Sequence, residues 1–384
     1  MHRQKNTTLW ILSLLALGLL AAPALAGPPP FTTTELIAGN NAPGVNGALL
    51  LAAVAAAGPN TLIKLEPGFY DLQGQQIVLP NFVDIEGSGR DITTVFSSLT
   101  FSPTPTVVDV AAGINGELRD MTILAAADTA VGVTTQSDEF LMTEVNVEIE
   151  ANSRATGVII RGASARLDEV FVRILGSNGN ATGFDISGGG APALTSCLYF
   201  ATNVQRRSFG VFIDEASPVI ESTILFSLFN GQDTGIFVNG VTTEATVRNV
   251  RATVQGDDAT GIKVQKLANA RVKESTFQAR SDGFAAGIFL EEGNAKVTES
   301  TFEVSSLFFF SLNVFGAVLR GPANLDSNQS NYESTSFAVQ NAGTGQARFG
   351  ASQLIGTASP ALAGPLVCVH AYNGAYAALN NFCN

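Results

Sequence analysis

Residues 157–172, with the sequence GVIIRGASARLDEVFV, contain both halves of a unit that recurs along most of this chain. The first half is a glycine followed by alternating apolar residues, a pattern typical of a short strand with one buried face. It recurs every 25 to 29 residues and starts at Gly132, Gly157, Gly183, Gly210, Gly235, Gly261, Gly287 and Gly316. A sustained period of this length indicates a solenoid, in which each unit stacks on the next.

The second half of the unit starts at an apolar residue and has further inward positions three and five residues later. The starting residues are Leu118, Met142, Leu167, Leu194, Val219, Val247, Val272 and Val297. A step of three followed by a step of two indicates a bend between two strands. In one unit this register assigns Val219, Ser222 and Ile224 to the interior, and in the unit before it assigns Cys197 there.

Each unit therefore holds three short strands and no segment of helix length. Such strands bury their apolar faces only when the units stack as coils. We expect an all-β protein, a right-handed parallel β-helix of about ten coils with a helix capping its N-terminal end. A left-handed β-helix has a shorter hexapeptide period, and a leucine-rich repeat has a denser leucine pattern.

The chain divides into four predicted segments. A basic start, an apolar run over 9–22 and Ala24-Leu25-Ala26 predict a signal peptide, with an uncleaved anchor as the alternative. No later segment is long and apolar enough to span a bilayer. The predicted boundaries are 1–26 for the signal peptide, 27–60 for a segment with a capping helix at 46–57, 61–358 for the β-helix and 359–384 for a C-terminal cap.

Composition and cysteine usage agree with an exported globular protein. The chain is 46% hydrophobic and 14% charged, which excludes intrinsic disorder, and its net charge of −12 argues against a nucleic-acid partner. In a secreted, periplasmic or cell-surface location, Cys368 and Cys383 are able to form a disulfide. Beyond the signal segment His370 is the only histidine, so a catalytic or metal-binding histidine pair is excluded.

The opening coils resemble those of pectin lyase-like right-handed β-helix proteins. The stretches that carry this resemblance are LIKLEPGFYDL at 62–72, IVL at 77–79 and VDIEG at 83–87. The tail from Cys368 to Cys383 resembles the end of secreted bacterial β-helix proteins without assigned function. The resemblance covers most of residues 45–384 and implies a fold rather than an activity, because that superfamily includes lyases, hydrolases, esterases and non-enzymes.

Carboxylates recur at the bend of the second half, two residues after each starting residue. The positions are Asp120, Glu144, Glu169, Ser196, Glu221, Asn249, Glu274 and Glu299. Stacked about 4.8 Å apart, these carboxylates repel one another unless cations intervene. One interpretation is a solvated corner neutralised by neighbouring basic residues. The other is a Ca²⁺ site, the only cofactor that the sequence suggests, with Glu144, Glu169, Glu221, Glu274 and Glu299 as candidate ligands.

A second polar row follows the glycine strands, four residues after each glycine. A row of mixed polar side chains is suited to hydrogen-bonding a sugar chain, although polar residues are also common in ordinary turns. The candidate binding residues are Arg161, Asp214, Asn239, Gln265, Glu291 and Arg320.

Acidic residues in and beside this row are the candidates for catalysis. β-Helix glycosidases use two carboxylates, and Asp214, Glu215, Glu291 and Glu292 offer such pairs. Asp257-Asp258 looks like the acid pair of polygalacturonases, but no Gly-His-Gly or Arg-Ile-Lys motif accompanies it. We interpret Asp257-Asp258 as a turn.

A row of apolar residues lies two positions after the glycines, where the strand should face outward. It comprises Ile159, Phe212, Phe237, Phe289 and Val318, interrupted by Asp185 and Lys263, and the longest unit adds Phe308-Phe309-Phe310. Exposed rows of phenylalanine are unusual in soluble monomers. Either a terminal segment covers the row, or Phe212, Phe237 and Phe289 form a homo-oligomer interface or a binding stripe.

Three functions fit these patterns. The first is an exported, non-catalytic β-helix that presents an extended surface to a polysaccharide or another cell-surface partner. The second is a divergent polysaccharide lyase or glycoside hydrolase, and the third is a structural or adhesive oligomeric module. The missing catalytic motifs favour the first function.

Overall fold

The computed structural model describes residues 33–98, 106–228, 231–307, 313–358, 365–373, 375, 377–379 and 383. The predicted signal peptide and Phe308-Phe309-Phe310 lie outside the described residues. In the described part, helix α1 (Pro43–Ala56) is joined by 31 strands. None of its helices is long and apolar enough to cross a membrane.

The strands of the first turns are β1 (Thr33–Ile37), β2 (Thr61–Leu65), β3 (Gly68–Asp71), β4 (Ile77–Val78), β5 (Val83–Glu86), β6 (Thr93–Ser98), β7 (Thr106–Val110) and β8 (Gly116–Thr135). The strands of the middle turns are β9 (Phe140–Arg161), β10 (Arg166–Asp168), β11 (Phe171–Ser177), β12 (Asn180–Ser187), β13 (Ala193–Thr195), β14 (Leu198–Val204), β15 (Arg207–Asp214), β16 (Val219–Glu221), β17 (Ile224–Leu228), β18 (Gln232–Asn239), β19 (Glu244–Arg248) and β20 (Arg251–Gln265). The strands of the last turns are β21 (Asn269–Lys273), β22 (Thr276–Glu291), β23 (Asn294–Thr298), β24 (Thr301–Ser306), β25 (Val314–Arg320), β26 (Asn324–Asn328), β27 (Asn331–Asn341), β28 (Ala347–Gly350), β29 (Gln353–Ala358), β30 (Leu366–Val369) and β31 (Tyr372–Asn373).

These strands form a right-handed parallel β-helix of about 11 turns, so the predicted fold is confirmed. Each strand pairs in parallel with the equivalent strand of the next turn, as in β10–β13–β16, β11–β14–β17 and β12–β15–β18. These three series of strands form the three faces of the β-helix. We call them the first sheet (before the bend), the second sheet (after the bend) and the third sheet (the glycine strands).

The glycines that recur inside the third-sheet strands, from Gly132 to Gly316, lie where a side chain has no room. A Cβ on Gly261 would lie 2.6 Å from the carbonyl oxygen of Gly287 and 2.8 Å from Cβ of Phe277. A Cβ on Gly235 would likewise lie 2.6 Å from the carbonyl oxygen of Gly261. Contacts this short displace the backbone of the neighbouring turn, so the repeated glycine is a packing requirement of the stack.

The bend between the first and second sheets is a single residue in the left-handed conformation. Asp120, Glu144, Glu169, Ser196, Ser222, Asn249, Glu274 and Glu299 have φ angles between +50° and +57°. Their N–H groups bond across turns, for example from Ser222 to the carbonyl of Arg248 at 3.1 Å. The ladder of hydrogen bonds therefore continues through the bend.

In one turn the predicted register of this bend is wrong by one residue. Leu194 pairs with Ile220, not with Val219, so Ser222 and not Glu221 occupies the left-handed position. Ile220 is fully buried, whereas Val219 and Ile224 are 38% and 49% exposed. Val219 and Ile220 are both branched apolar residues, so hydrophobicity does not decide which of them faces the interior. Stacking on the turns above and below decides it.

Both ends of the solenoid extend further than predicted. β1 pairs in parallel with β2, and β28 pairs with β30 inside the segment expected to be only a cap. Helix α1 starts at Pro43, three residues earlier than predicted, because proline is favoured in the first turn of a helix. Its Leu50 and Val54 are buried against the interior of the first turns, as a cap requires.

Most buried side chains are apolar, and the buried polar ones are mainly serines and threonines. Among the described residues, Asp233 is the one ionisable Asp, Glu, Lys, Arg or His side chain that is buried, and it is 1% exposed. The hydroxyl of Ser227 donates a hydrogen bond of 2.6 Å to Oδ1 of Asp233, while Oδ2 has no hydrogen-bond partner. Ser208 joins this group at 3.1 Å from Ser227 and 2.9 Å from the hydroxyl of Tyr199. Burial raises the pKa of Asp233 to about 7, and the hydrogen bond from Ser227 opposes this rise.

The cysteines behave as the sequence indicates. Cys368 and Cys383 form a disulfide, with their Cα atoms 5.3 Å apart. Cys197 is a free thiol that is 1% exposed, and burial raises its pKa to about 12. A protonated and inaccessible thiol is unreactive, so Cys197 is a packing residue.

Candidate functional site

The predicted binding residues lie in one row along the edge of the third sheet. The pairing register places Arg161, Ser187, Asp214 and Asn239 at equivalent positions of successive turns, and does the same for Gln265, Glu291 and Arg320. Hydrogen bonds link the two parts of the row. Asn239 Nδ2 donates to Asp214 Oδ1 at 2.5 Å, and Gln265 Nε2 donates to Asn239 Oδ1 at 2.9 Å. An amide row of this kind holds its side chains in one orientation over three turns.

The carboxylates proposed as catalytic candidates do not form an isolated acid pair in this row. Asp214 accepts the hydrogen bond from Asn239, and Glu291 lies 3.4 Å from Nζ of Lys263. Glu215 and Glu292 follow the row in left-handed turns, with φ of +52° and +57°. Their N–H groups donate to carbonyl groups of the next turn at 3.2 and 3.0 Å. The backbone geometry thus gives both residues a structural use, whereas their catalytic role stays untested.

The phenylalanine row beside the polar row is largely covered by its own neighbours. Phe237 and Phe289 are only 9% and 5% exposed, while Phe212 is half-buried. The rings of Phe212 and Phe237 stack 5.3 Å apart, and Phe209 packs on both. Mutual packing thus removes much of the exposed apolar surface that the sequence suggested. An oligomer through Phe212, Phe237 and Phe289 stays a prediction, with little of the last two rings accessible to it.

Lys263, the basic residue that interrupts that row, lies at the centre of the candidate site. Its Nζ lies 5.7 Å from the ring centroid of Phe237 and 5.1 Å from that of Phe289. The guanidinium of Arg320 lies 5.1 Å from the same Phe289 ring. Cations over aromatic faces are held electrostatically as well as by packing. The signal in the sequence was a basic residue at an outward position between two phenylalanines.

A cavity of about 390 Å³ opens on this face of the third sheet. The buried residues Thr234 and Thr260 contribute to its lining, together with the aromatic side chains of Phe284 and Phe289. The other lining residues are Gln232, Asp258, Lys263 and Arg320, together with Asp233, whose carboxylate is buried in the interior. We call this cavity, with the adjoining polar row, the third-sheet groove. It combines hydrogen-bonding groups, aromatic surface and two cations in one place.

The Asp257-Asp258 pair lies at the edge of this groove rather than in a simple turn. The two residues are part of strand β20, where the pairing register with β22 shifts between Gly256 and Asp258. Asp258 accepts hydrogen bonds from Gln232 Nε2 at 3.4 Å and from the N–H of Phe284 at 3.2 Å. It thereby organises the irregular backbone that bounds the cavity.

At the other end of the polar row, Asp185 lies beside two arginines. Arg154 is 3.9 Å from its carboxylate, and Arg161 belongs to the neighbouring turn. Burial raises the pKa of Asp185, and the two arginines oppose this rise. This end of the row therefore has a carboxylate with two arginines near it.

Four carboxylates of the bend ladder lie within 4.0 Å of a basic side chain. Arg90 lies 3.9 Å from Glu144 and 4.0 Å from Glu169, and Lys273 lies 2.9 Å from Glu274 and 3.9 Å from Glu299. Glu221 is displaced from the ladder by the register difference. In the described part of the chain, no three or more His, Cys, Asp or Glu side chains are grouped to hold a metal ion. The solvated, salt-bridged corner is therefore the better interpretation of these residues, and the Ca²⁺ site stays an untested alternative.

The solved structures to which this chain is similar share little of its sequence. No family model matches the chain, and no curated protein matches it. Among solved structures, the A-module of the Azotobacter vinelandii mannuronan C-5 epimerase AlgE6 has a TM-score of 0.46 at 14% identity, over 88% of this chain and 97% of that one. The catalytic domain of a GH87 α-1,3-glucanase in complex with nigerose has a TM-score of 0.39 at 10% identity, over 88% and 66%. The enzymatically active domain of tailspike protein 2 of bacteriophage CBA120 has a TM-score of 0.46 at 12% identity, over 81% and 48%.

This protein is thus a parallel β-helix by its own strand pairings. The likeness of its opening coils to pectin lyase-like proteins holds at the level of the fold. Scores below 0.5 at these identities assign no activity or ligand to it.

Proposed function

We propose that the protein is exported and binds a polysaccharide along the third-sheet groove without cleaving it. The observation that carries this proposal is the hydrogen-bonded row Asp214–Asn239–Gln265 beside the cavity on the same sheet. That cavity is lined by Lys263, Arg320 and the half-buried ring of Phe284. Saccharides are recognised by oriented hydrogen-bonding groups together with apolar ring surfaces. The groove provides both kinds of group on successive turns.

The repeat of the fold suits a repeating ligand. Neighbouring turns are about 4.8 Å apart, and the row offers a polar side chain on each of seven turns from Arg161 to Arg320. Many equivalent weak contacts favour a polymer over a single sugar, because the first contact raises the effective concentration of the next. A long chain is therefore the ligand class that the row fits best.

The environment of the acidic residues supports binding rather than catalysis. A retaining or inverting glycosidase needs two carboxyl groups free to face the same bond. In the groove, Glu291 is paired with Lys263, Asp214 accepts from Asn239, and Asp258 holds the backbone of its neighbour. A divergent lyase or hydrolase is the alternative that the experiment below tests.

The test is to incubate the purified protein with a panel of polysaccharides, with and without Ca²⁺, and to measure retention and new chain ends together. We expect retention without new ends, and we expect Gln265→Ala to weaken it. Asn294→Ala is the matched control, because Asn294 belongs to a similar amide row, Asn269–Asn294–Asn324, on the first sheet. New chain ends that disappear when Asp214 and Glu291 are neutralised would replace this proposal with an enzyme. Equal retention of Gln265→Ala and Asn294→Ala would show that the polysaccharide binds outside the third-sheet groove.

A further inference from the structure

The later turns of the first sheet present a basic outer face, although the chain as a whole is acidic. The chain has 33 Asp and Glu residues against 21 Lys and Arg residues. On strands β19, β21, β23, β26 and β28 the balance is five basic side chains to two acidic ones, namely Arg248, Arg271, Lys273, Lys296 and Arg348 against Glu244 and Asp326. All seven residues are exposed. This face therefore reverses the charge balance of the protein.

Basic residues on this face lie next to each other on neighbouring turns. The strand register pairs Arg248 with Lys273, and Arg271 with Lys296. Like charges at paired positions destabilise a sheet. Glu244 lies 3.9 Å from Arg271, but in the part of the chain that the structure describes no carboxylate oxygen lies within 4.0 Å of the Nζ of Lys296. An anionic ligand would relieve the repulsion around Lys296.

A row of amide side chains runs beside these cations. Nδ2 of Asn294 donates to Oδ1 of Asn269 at 3.3 Å, and Nδ2 of Asn324 donates to Oδ1 of Asn294 at 2.9 Å. The backbone N–H of Gln346 continues the row by donating to Oδ1 of Asn324 at 3.1 Å. A side-chain amide has two N–H donors and an oxygen with two lone pairs. Each amide of the row therefore keeps hydrogen-bonding capacity for a ligand while its neighbours fix its orientation.

Two adjoining cavities open along this face. The first, of about 480 Å³, is lined by the amide row and by Arg271, Lys296 and Arg348. The second, of about 490 Å³, shares Lys296, Asp326 and Arg348 with the first and continues to Val367 on the next turn. We call the two cavities together the first-sheet groove. None of the residues that line the first cavity is aromatic, so its surface is made for hydrogen bonds and charge rather than for ring stacking.

We propose that the first-sheet groove is a second binding site of this protein and that its ligand is an acidic polysaccharide. The cations are placed to bind acid groups through charge-assisted hydrogen bonds, and the amides to bind the hydroxyl groups between them. Arg271 and Lys296 lie one turn apart, about 4.8 Å, and Lys296 and Arg348 lie two turns apart, about 10 Å. Charges that recur along a groove favour a polymer over a single sugar.

The amide row favours a saccharide over other polyanions. Inorganic polyphosphate offers the charges but no hydroxyl groups, so it would leave the row Asn269–Asn294–Asn324 unused. The inference goes beyond the third-sheet proposal, because the sheet and the charge of the ligand both differ. Either site can exist without the other.

The test measures retention of hyaluronate, xanthan and carboxymethyl-dextran, each beside its carboxyl-reduced, neutral form. We expect the wild type to retain the acidic forms more strongly, and we expect Lys296→Glu to weaken that retention by about tenfold without affecting the neutral forms. Arg166→Glu is the matched control, because Arg166 is an exposed residue at the equivalent position of the first sheet, four turns before Arg271. It makes the same change in net charge outside the groove.

Two further variants separate recognition from a folding defect. Asp326→Asn removes the acidic side chain between Lys296 and Arg348, so it should strengthen retention of the acidic forms by about threefold, a gain that misfolding does not produce. Asn294→Ala should weaken retention of the acidic forms but not of inorganic polyphosphate. With neutral polysaccharides Asn294→Ala remains the control for the third-sheet groove.

Three results would overturn the proposal. The first is a wild type that retains the acidic forms no better than the neutral ones, and the second is equal retention of the acidic forms by Lys296→Glu and Arg166→Glu. The third is retention of polyphosphate as strong as that of the acidic polysaccharides, with none of them affected by Asn294→Ala, which would show a site for charge alone. Loss of the neutral polysaccharides with Gln265→Ala concerns only the third-sheet groove, so the two proposals fail independently.

Discussion

Replacing Asp233 with asparagine should make the stability of this protein less dependent on pH. Asp233 is a carboxyl group inside the solenoid, with one oxygen bonded to Ser227 and the other without a partner. Burial raises its pKa to about 7, so the folded chain holds the proton over a pH range in which the unfolded chain has lost it. Asparagine keeps the size of the side chain and removes the titration.

The size and sign of the effect follow from proton linkage. The folded pKa of about 7 lies about 3 pH units above the ordinary value for aspartate, which corresponds to roughly 4 kcal/mol. Because the pKa of Asp233 is higher in the folded chain, binding of its proton stabilises the folded state. This stabilisation is fully present below the unfolded pKa of about 3.9 and is lost as pH rises through about 7. At pH 5.5 about half of it should remain.

The assay is chemical unfolding of the wild type and Asp233→Asn at a series of pH values from 4 to 8. The difference in unfolding free energy between the two proteins should fall by roughly 4 kcal/mol across that range, while all other titrations cancel in the difference. Asp168→Asn is the matched control, because Asp168 is exposed, and its difference should stay flat. A flat difference for Asp233→Asn as well, or a carboxyl titration of Asp233 by NMR with a midpoint near 4, would refute the reasoning.

Three further predictions concern packing and the cysteines. Gly261→Ala should lower the free energy of unfolding by about 1–3 kcal/mol, because the added Cβ would meet the backbone of the next turn. Gly58→Ala is the control and should change it little, because no atom lies within 4 Å of a Cβ at that position. Equal melting curves for the two variants would contradict this. Reduction of the Cys368–Cys383 disulfide should destabilise the chain by about 3 kcal/mol for a loop of this length, and unchanged melting in reductant would show that the bridge adds no stability. Cys197 should react with a thiol reagent only after denaturation, and fast labelling of the native protein would show that the interior opens.

The sequence by itself determined the fold, because the decisive restraints are local and repeat. A glycine recurs inside the third-sheet strands from Gly132 to Gly316, since a Cβ there would strike the next turn. The bends from Asp120 to Glu299 each have one residue in a left-handed conformation. A spacing that recurs along the chain leaves only a stacked solenoid able to bury every apolar face. The same spacing predicts the polar row from Arg161 to Arg320, and the strand pairing has these residues in register.

Tertiary structure alone decided the features that depend on contacts between turns. Val219 and Ile220 are equivalent in hydrophobicity, so only stacking on Leu194 and Val247 selected Ile220 for the interior. Lys263 gained its place over two phenylalanine rings because its neighbours in space lie about 26 residues away on each side. Periodicity tells which face of the coil a side chain is on. Its partners on the neighbouring turns, and hence the third-sheet groove, arise only when the coils are stacked.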